Sequence, residues 1–205
     1  MVVTRARSAQ KQPSSSAIAK KRVAQTRPAQ INIDAWVCAL QSIAESWCTT
    51  PPQPQPCQLA SWLLLSDAET ARKAAVLRSN GITHVLNAAG ASESSAAAAS
   101  SAGAAYKQLD AEDHEHYPIL TKHWNAAWEF MSAARAASGR VLVHCQGGVN
   151  RSGCLVAAAL MMDERISVVE AVQRCKLARG TVLLNAGFRR ALVRFAASEG
   201  LLGEV

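Results

Sequence analysis

The residues best able to do chemistry lie in one stretch, Val141-Leu142-Val143-His144-Cys145-Gln146-Gly147-Gly148-Val149-Asn150-Arg151-Ser152-Gly153. An apolar run of strand length enters a loop with two adjacent glycines, and the loop enters a helix-forming segment. Successive backbone N–H groups of such a loop can all point inward. The following helix adds its own unsatisfied N–H groups and the positive end of its dipole. Gly147 and Gly148 permit backbone angles that a side chain would forbid. The expectation is an anion cradle made by Gln146, Gly147, Gly148, Val149, Asn150 and Arg151.

A cysteine at the base of such a cradle has a reason to be there. N–H groups that hold a phosphate dianion also favour a thiolate, and thiols at helix N-termini ionise more readily than free ones. Cys145 is therefore expected to be a nucleophile toward phosphorus. Arg151 can grip two phosphate oxygens with its planar fork and match the charge that spreads over them in the transition state. Ser152 can donate a hydrogen bond to the sulfur and ease its departure in a second step. A leaving oxygen must be protonated and an attacking water deprotonated, so an acid is required. Asp110, Glu112 and Asp113 form the nearest acidic cluster in the sequence pattern. His114 and His116 beside them imitate a metal site, but a thiolate mechanism needs no metal and no cofactor.

The surrounding segments must position this loop. Leu59 to Leu65, Ile82 to Leu86, Tyr106 to Leu109 and Val141 to Val143 read as strands. Ala68 to Ser79, Pro118 to Ala137, 151–162, 166–178 and 187–198 read as helices. Residues 89–105 are nearly all Ala, Ser and Gly and read as a variable loop. Strands alternating with helices argue an α/β fold of three layers, with a central, mostly parallel, twisted sheet flanked by helices. The apolar stripe Ile33, Trp36, Val37, Leu40, Ile43, Ala44 and Trp47 predicts a helix packed on the domain, and Pro51 to Pro56 a stiff linker. The expected organisation is a basic disordered leader over 1–30, an amphipathic helix and Pro-rich linker over 31–57, and a catalytic domain over 58–205.

The chain has 205 residues and a formal charge of +7. Seven of its 22 basic residues lie in 1–30 with no acid, so the remaining residues carry 15 of each sign. A neutral folded part argues against nucleic acid as a partner, because RNA binding places Lys and Arg on the domain face. No apolar run is long enough to cross a bilayer, so no membrane partner is expected. The six cysteines form no C-x-x-C pair, and free thiols suggest a reducing compartment such as the cytoplasm. Lys20-Lys21-Arg22 also fits a short nuclear signal, and the Arg- and Ser-rich leader partly fits a mitochondrial transit peptide.

The arrangement His144-Cys145, five residues, then Arg151-Ser152 resembles the signature of the cysteine-dependent protein tyrosine phosphatase superfamily. The resemblance extends over roughly 59–197. Gly81 to Asn87 looks like the second strand of dual-specificity phosphatases, and Asn185-Ala186-Gly187-Phe188 like the start of their final helix. By the spacing of that family from Tyr106, the resemblance implies Asp113 as the general acid, with Asp110 as a rival. It implies His144 as an orienting residue and Asn185 as a brace for the active-site loops; Asn185 read alone is a helix N-cap. Cys154 is either a resolving thiol or a small buried residue. The Trp-Pro-Asp loop and deep-pocket tyrosine segment of tyrosine-only relatives are missing. So are the loop lysines of lipid-phosphate relatives. The resemblance thus implies an atypical small dual-specificity protein phosphatase, acting on phosphotyrosine and phosphoserine or phosphothreonine in a protein substrate through a phosphocysteine intermediate. Rival functions are an RNA 5′-triphosphatase, a phosphate-reading pseudophosphatase and a sulfurtransferase. The pseudophosphatase would be expected to lack Cys145, Arg151 or the acid, and the sulfurtransferase has no need of Asp113 or Ser152.

Overall fold

The computed structural model describes residues 32–48 and 51–205. The expected leader over 1–30, with its basic run, lies outside them. The element order is α1 (Asp34–Glu45), β1 (Cys57–Gln58), β2 (Leu63–Ser66), α2 (Ala68–Ala71), α3 (Ala74–Ser79), β3 (His84–Asn87), α4 (Glu93–Ser101), β4 (Ala105–Gln108), α5 (Ile119–Ala136), β5 (Val141–His144), α6 (Arg151–Glu164), α7 (Val168–Arg179) and α8 (Ala186–Glu199).

Five strands form one sheet in the order β1-β2-β5-β3-β4. Only the β1–β2 pair is antiparallel; β2–β5, β5–β3 and β3–β4 are parallel. The sheet is therefore mostly parallel, with helices on both faces. β5 is central, and its apolar run Val141-Leu142-Val143 is buried throughout, as a strand covered on both faces requires. Side chains alternate between two cores. Leu63, Leu65, Leu86, Val141 and Val143 enter the larger one, with residues of α1, α5, α6, α7 and α8. Leu64, Val85 and Leu142 enter the smaller one, with residues of α2, α3 and α4. α6 is buried on almost every side, which explains why Cys154 to Met161 are all apolar.

The register aligns the C-terminal ends of three strands. Ser66 and Asn87 both pair with His144. The loop that follows β5 thus opens at the carboxyl edge of the sheet, between two parallel neighbours, where open α/β sheets bind ligands.

Some segments differ from the sequence reading. Residues 89–105 are not a loop: Ser92 caps α4 by accepting from the Ser95 N–H, and Ala98 and Ala99 are buried against the sheet. Low complexity hid a helix whose small side chains allow close approach. The single helix expected from Ala68 to Ser79 is two short helices broken at Arg72 and Lys73. The apolar run at 59–65 is a turn followed by β2, with Leu59 N–H and Ala60 N–H both donating to Leu63 O. α1 packs into the larger core through Leu40, Ala44 on the same helix is also buried, and the buried Lys176 ammonium donates to Ala44 O at 2.8 Å. Trp36 Nε1 donates to Gly203 O at 3.1 Å.

Candidate active site

Residues 145–150 wind between β5 and α6 with their carbonyls turned outward. Gln146 O accepts from Ala68 N–H at 3.1 Å, Val149 O from Leu183 N–H at 3.1 Å and Asn150 O from Cys154 N–H at 2.9 Å. Arg179, from the last turn of α7, donates to Gly147 O at 2.9 Å and Gly148 O at 3.4 Å. The N–H groups of Gln146 to Asn150 donate to no acceptor among the described residues. A loop with its carbonyls paired on the outside and its amides unpaired on the inside is built for an anion.

Gly148 is required twice. Its φ is +67°, and a Cβ there would lie 2.6 Å from Ser66 O, at the end of β2. The loop can therefore pass close over the strand edge only without a side chain.

Cys145 is 1% exposed at the base of this loop. Ser152, in the first turn of α6, donates its hydroxyl to Cys145 Sγ at 3.1 Å, and both groups are buried. His144 is fully buried; its Nδ1 meets the Cys145 carbonyl at 3.3 Å, not the thiol, and its Nε2 has no partner. Burial pushes the His144 imidazole down to about 4, so it is neutral at pH 7. Cys154 faces away into the core, near Phe188 O at 4.0 Å, and burial pushes its thiol up.

Arg151 opens α6 and turns its guanidinium toward the acidic stretch. Its Nη1 donates to Ala111 O at 3.1 Å, and its Nε lies 3.7 Å from Asp113 Oδ2. Of the three acidic candidates, Asp113 meets the cradle. Asn150 Nδ2 donates to both its carboxylate oxygens at 3.2 and 3.3 Å, and Asn185 Nδ2 to Oδ1 at 3.0 Å. Asp110 accepts from Gln108 at 2.8 Å, and Glu112 pairs with His114 at 3.4 Å. Asn185 also caps α8 by accepting from Phe188 N–H at 3.2 Å, so it is both cap and brace.

The structure thus brings together Cys145, Ser152, Arg151, Asn150, Asp113 and Asn185. Sequence reasoning missed two residues, Arg179 and Arg189, and the role of the Asn150 side chain. The side chain of Asn150 ties the loop to Asp113 and, through its Oδ1, to Asn185 N–H at 3.0 Å. Arg179 braces the loop from 31 residues beyond Gly148, with no local signal beyond its place in a helix's last turn. Arg189 is buried and donates to Leu183 O and Leu184 O, each at 2.8 Å, fixing the segment that holds Val149.

Comparison with known proteins agrees with this geometry. Residues 63–198 match the family model described as dual specificity phosphatase, catalytic domain. Dual specificity protein phosphatase 26 of Bos taurus is 39% identical over 133 residues, which is 64% of this chain and 62% of that protein. Dual specificity protein phosphatase 13B of Homo sapiens is 36% identical over 133 residues, 63% of this chain and 67% of that protein. Human DUSP28 superposes with a TM-score of 0.65 at 26% identity, covering 74% of this chain and 99% of that one. A mouse putative dual specificity phosphatase complexed with zinc tungstate gives a TM-score of 0.63 at 25% identity, covering 78% and 100%. The chain spans less than two thirds of the bovine relative's length. The family model covers most of the folded residues, and the chain belongs to the dual-specificity phosphatase family.

Proposed function

We propose that this protein is a phosphatase acting on phosphotyrosine and phosphoserine or phosphothreonine in protein substrates, through a phosphocysteine intermediate on Cys145. The observation that carries this reading is the loop of unpaired amides around a buried thiol that accepts the Ser152 hydroxyl. Three phosphoryl oxygens fit the amides of 146–150 and the guanidinium of Arg151, which compensate charge on the equatorial oxygens.

In the first step Cys145 Sγ, as thiolate, attacks phosphorus. The P–O bond to the leaving group breaks, and that oxygen takes the proton of Asp113. In the second step a water attacks phosphorus and gives a proton to the Asp113 carboxylate. The S–P bond breaks, and the Ser152 hydroxyl stabilises the returning thiolate. The products are the free hydroxyl of the substrate and inorganic phosphate. Asn150 and Asn185 hold Asp113 at the mouth in both steps.

The test is hydrolysis of a small aryl phosphate in metal chelator by the protein and by Cys145→Ser. Turnover by the first and none by the second is expected. Retained turnover in the variant would overturn the phosphocysteine mechanism. Turnover by neither, with the fold intact, would turn attention to a non-aryl substrate such as an RNA 5′ end.

A further inference from the structure

The stretch that carries Asp113 meets the start of α8 at one close backbone approach, Glu115 against Gly187. Gly187 lies in the first turn of that helix. A Cβ built on it would overlap the carbonyl of Glu115 and come within 2.7 Å of Glu115 Cα. The obstacle is backbone, so it cannot swing aside as a flexible side chain would. Gly187 has no positive φ, so conformational freedom is not why a glycine sits here; it is the space that counts.

Two further contacts from the same helix end act on the same stretch. Asn185, the N-cap, holds the Asp113 carboxylate at 3.0 Å. Arg190, one turn further on, meets Glu115 Oε2 at 3.5 Å. Positions 185, 187 and 190 thus touch residues 113 and 115 by side chain, bare backbone and ion pair. The ion pair is exposed and contributes little to stability, but it holds the same stretch from the next turn of α8. The backbone contact sets the spacing at which the Asn185 side chain can reach Asp113.

We propose that Gly187 is a positioning residue for the general acid: its missing side chain lets α8 seat the Glu115 backbone, and this places Asp113 over the catalytic loop before substrate arrives. The inference rests on the reading of Asp113 as the acid. A side chain at 187 forces the 113–115 stretch away from α8, lengthens the Asn185–Asp113 hydrogen bond and moves the carboxyl from the leaving oxygen. A misplacement of about 1 Å in a catalytic group can cost about 100-fold. In the first step the loss falls only on leaving groups that need the proton; the second step, in which Asp113 takes a proton from water, is the same for every substrate.

The experiment compares Gly187→Ala with the unaltered full chain on aryl phosphates whose leaving phenols span a wide pKa range. The expected result, read in kcat/KM, which reports only the step that releases the phenol, is a fall on the order of 10- to 100-fold for the poorest leaving groups, the scale of what such displacement costs, and little change for the best. Asp113→Ala and the double variant Asp113→Ala/Gly187→Ala complete a cycle. If Gly187 acts through Asp113, the double variant is no slower than Asp113→Ala on the poorest leaving group. An equal loss on all substrates, or a further loss in the double variant, overturns the inference. Should Gly187→Ala not fold, Arg190→Ala, which alters only a half-exposed ion pair, is expected to give a smaller loss with the same leaving-group dependence; no such dependence there overturns it too. If Asp113→Ala itself shows no leaving-group dependence, the reading of Asp113 has failed. If it does and the Gly187 and Arg190 variants do not, only this inference has failed.

Discussion

Asn185 donates its amide to Asp113 Oδ1 at 3.0 Å while its own carbonyl oxygen accepts from Phe188 N–H at 3.2 Å. One side chain therefore starts the last helix and holds the carboxylate at the mouth of the catalytic loop. The two bonds use opposite ends of one planar amide, so the orientation of α8 and the position of Asp113 are coupled. Asn150 closes the triangle, accepting from Asn185 N–H and donating to Asp113.

This coupling separates two effects of Asn185→Ala. Losing the cap should cost about 1 kcal/mol of stability, read as a lower midpoint in urea. Losing the bond to Asp113 should slow poor leaving groups by more than good ones. Asn185→Asp keeps a cap but sets a second carboxylate against Asp113. It should therefore restore stability without restoring the rate on poor leaving groups. Recovery of both would assign Asn185 a structural role alone.

Ser152 Oγ lies 3.1 Å from the thiol sulfur and donates to it. In the proposed mechanism its hydroxyl matters most when sulfur leaves phosphorus. Ser152→Ala should slow the second step by about tenfold, the scale of one hydrogen bond to a charged group, and leave the first nearly intact. Rapid-mixing kinetics should then show a burst of released phenol equal to the enzyme concentration. A slow first step with no burst would place Ser152 elsewhere in the reaction.

Gly148→Ala must adopt φ near +67° and force Ser66 O away from 2.6 Å. Strain of this kind costs about 1–3 kcal/mol, and relief comes by displacing the loop. The expected outcome is weaker vanadate binding together with a lowered melting temperature. By contrast, Gly147→Ala meets only Val149 Cγ2 at 3.7 Å and should bind vanadate nearly as the unaltered protein does. Equal losses in both variants would contradict this account of the loop.

His144 sets a pH dependence of stability. In the unfolded chain its imidazole titrates near 6.5, and in the fold burial lowers it to about 4. Between these values the unfolded state binds more protons than the folded one, so stability is present above pH 6.5 and falls as pH drops toward 4. The full effect is about 3 kcal/mol at about 1.4 kcal/mol per pH unit. Urea midpoints of the protein and of His144→Gln should differ in slope over this window, with the variant flatter. The same slope in both would show that other groups set the acid limb.

Much of this was legible in the sequence, and the reason is local. The cradle from Cys145 to Ser152 is built by consecutive residues, so strand, glycine pair and helix start could be read in order. β5 announced itself because a strand buried on both faces must be continuously apolar. Asn185 showed its capping role through the helix that follows it. The helix at 93–101 was not legible: alanine and serine carry no apolar stripe, and its stability comes from packing on the sheet.

What only the tertiary structure decided are the relations between distant residues. Asp110, Glu112 and Asp113 are chemically alike and nearly adjacent, and the order of residues gives no physical ground to choose between them. Which of them meets the loop is a matter of helix packing: Asn150 and Asn185, flanking α6 and α8, reach Asp113. Arg179 reaches the loop carbonyls because α7 packs beside α6, and Gly187 matters because another backbone passes where its side chain would be. The sequence by itself placed a thiol between a buried strand and a glycine loop at the start of a helix, which takes only consecutive residues. The place of the acid against it depends on the sheet order and the helices that fold over it.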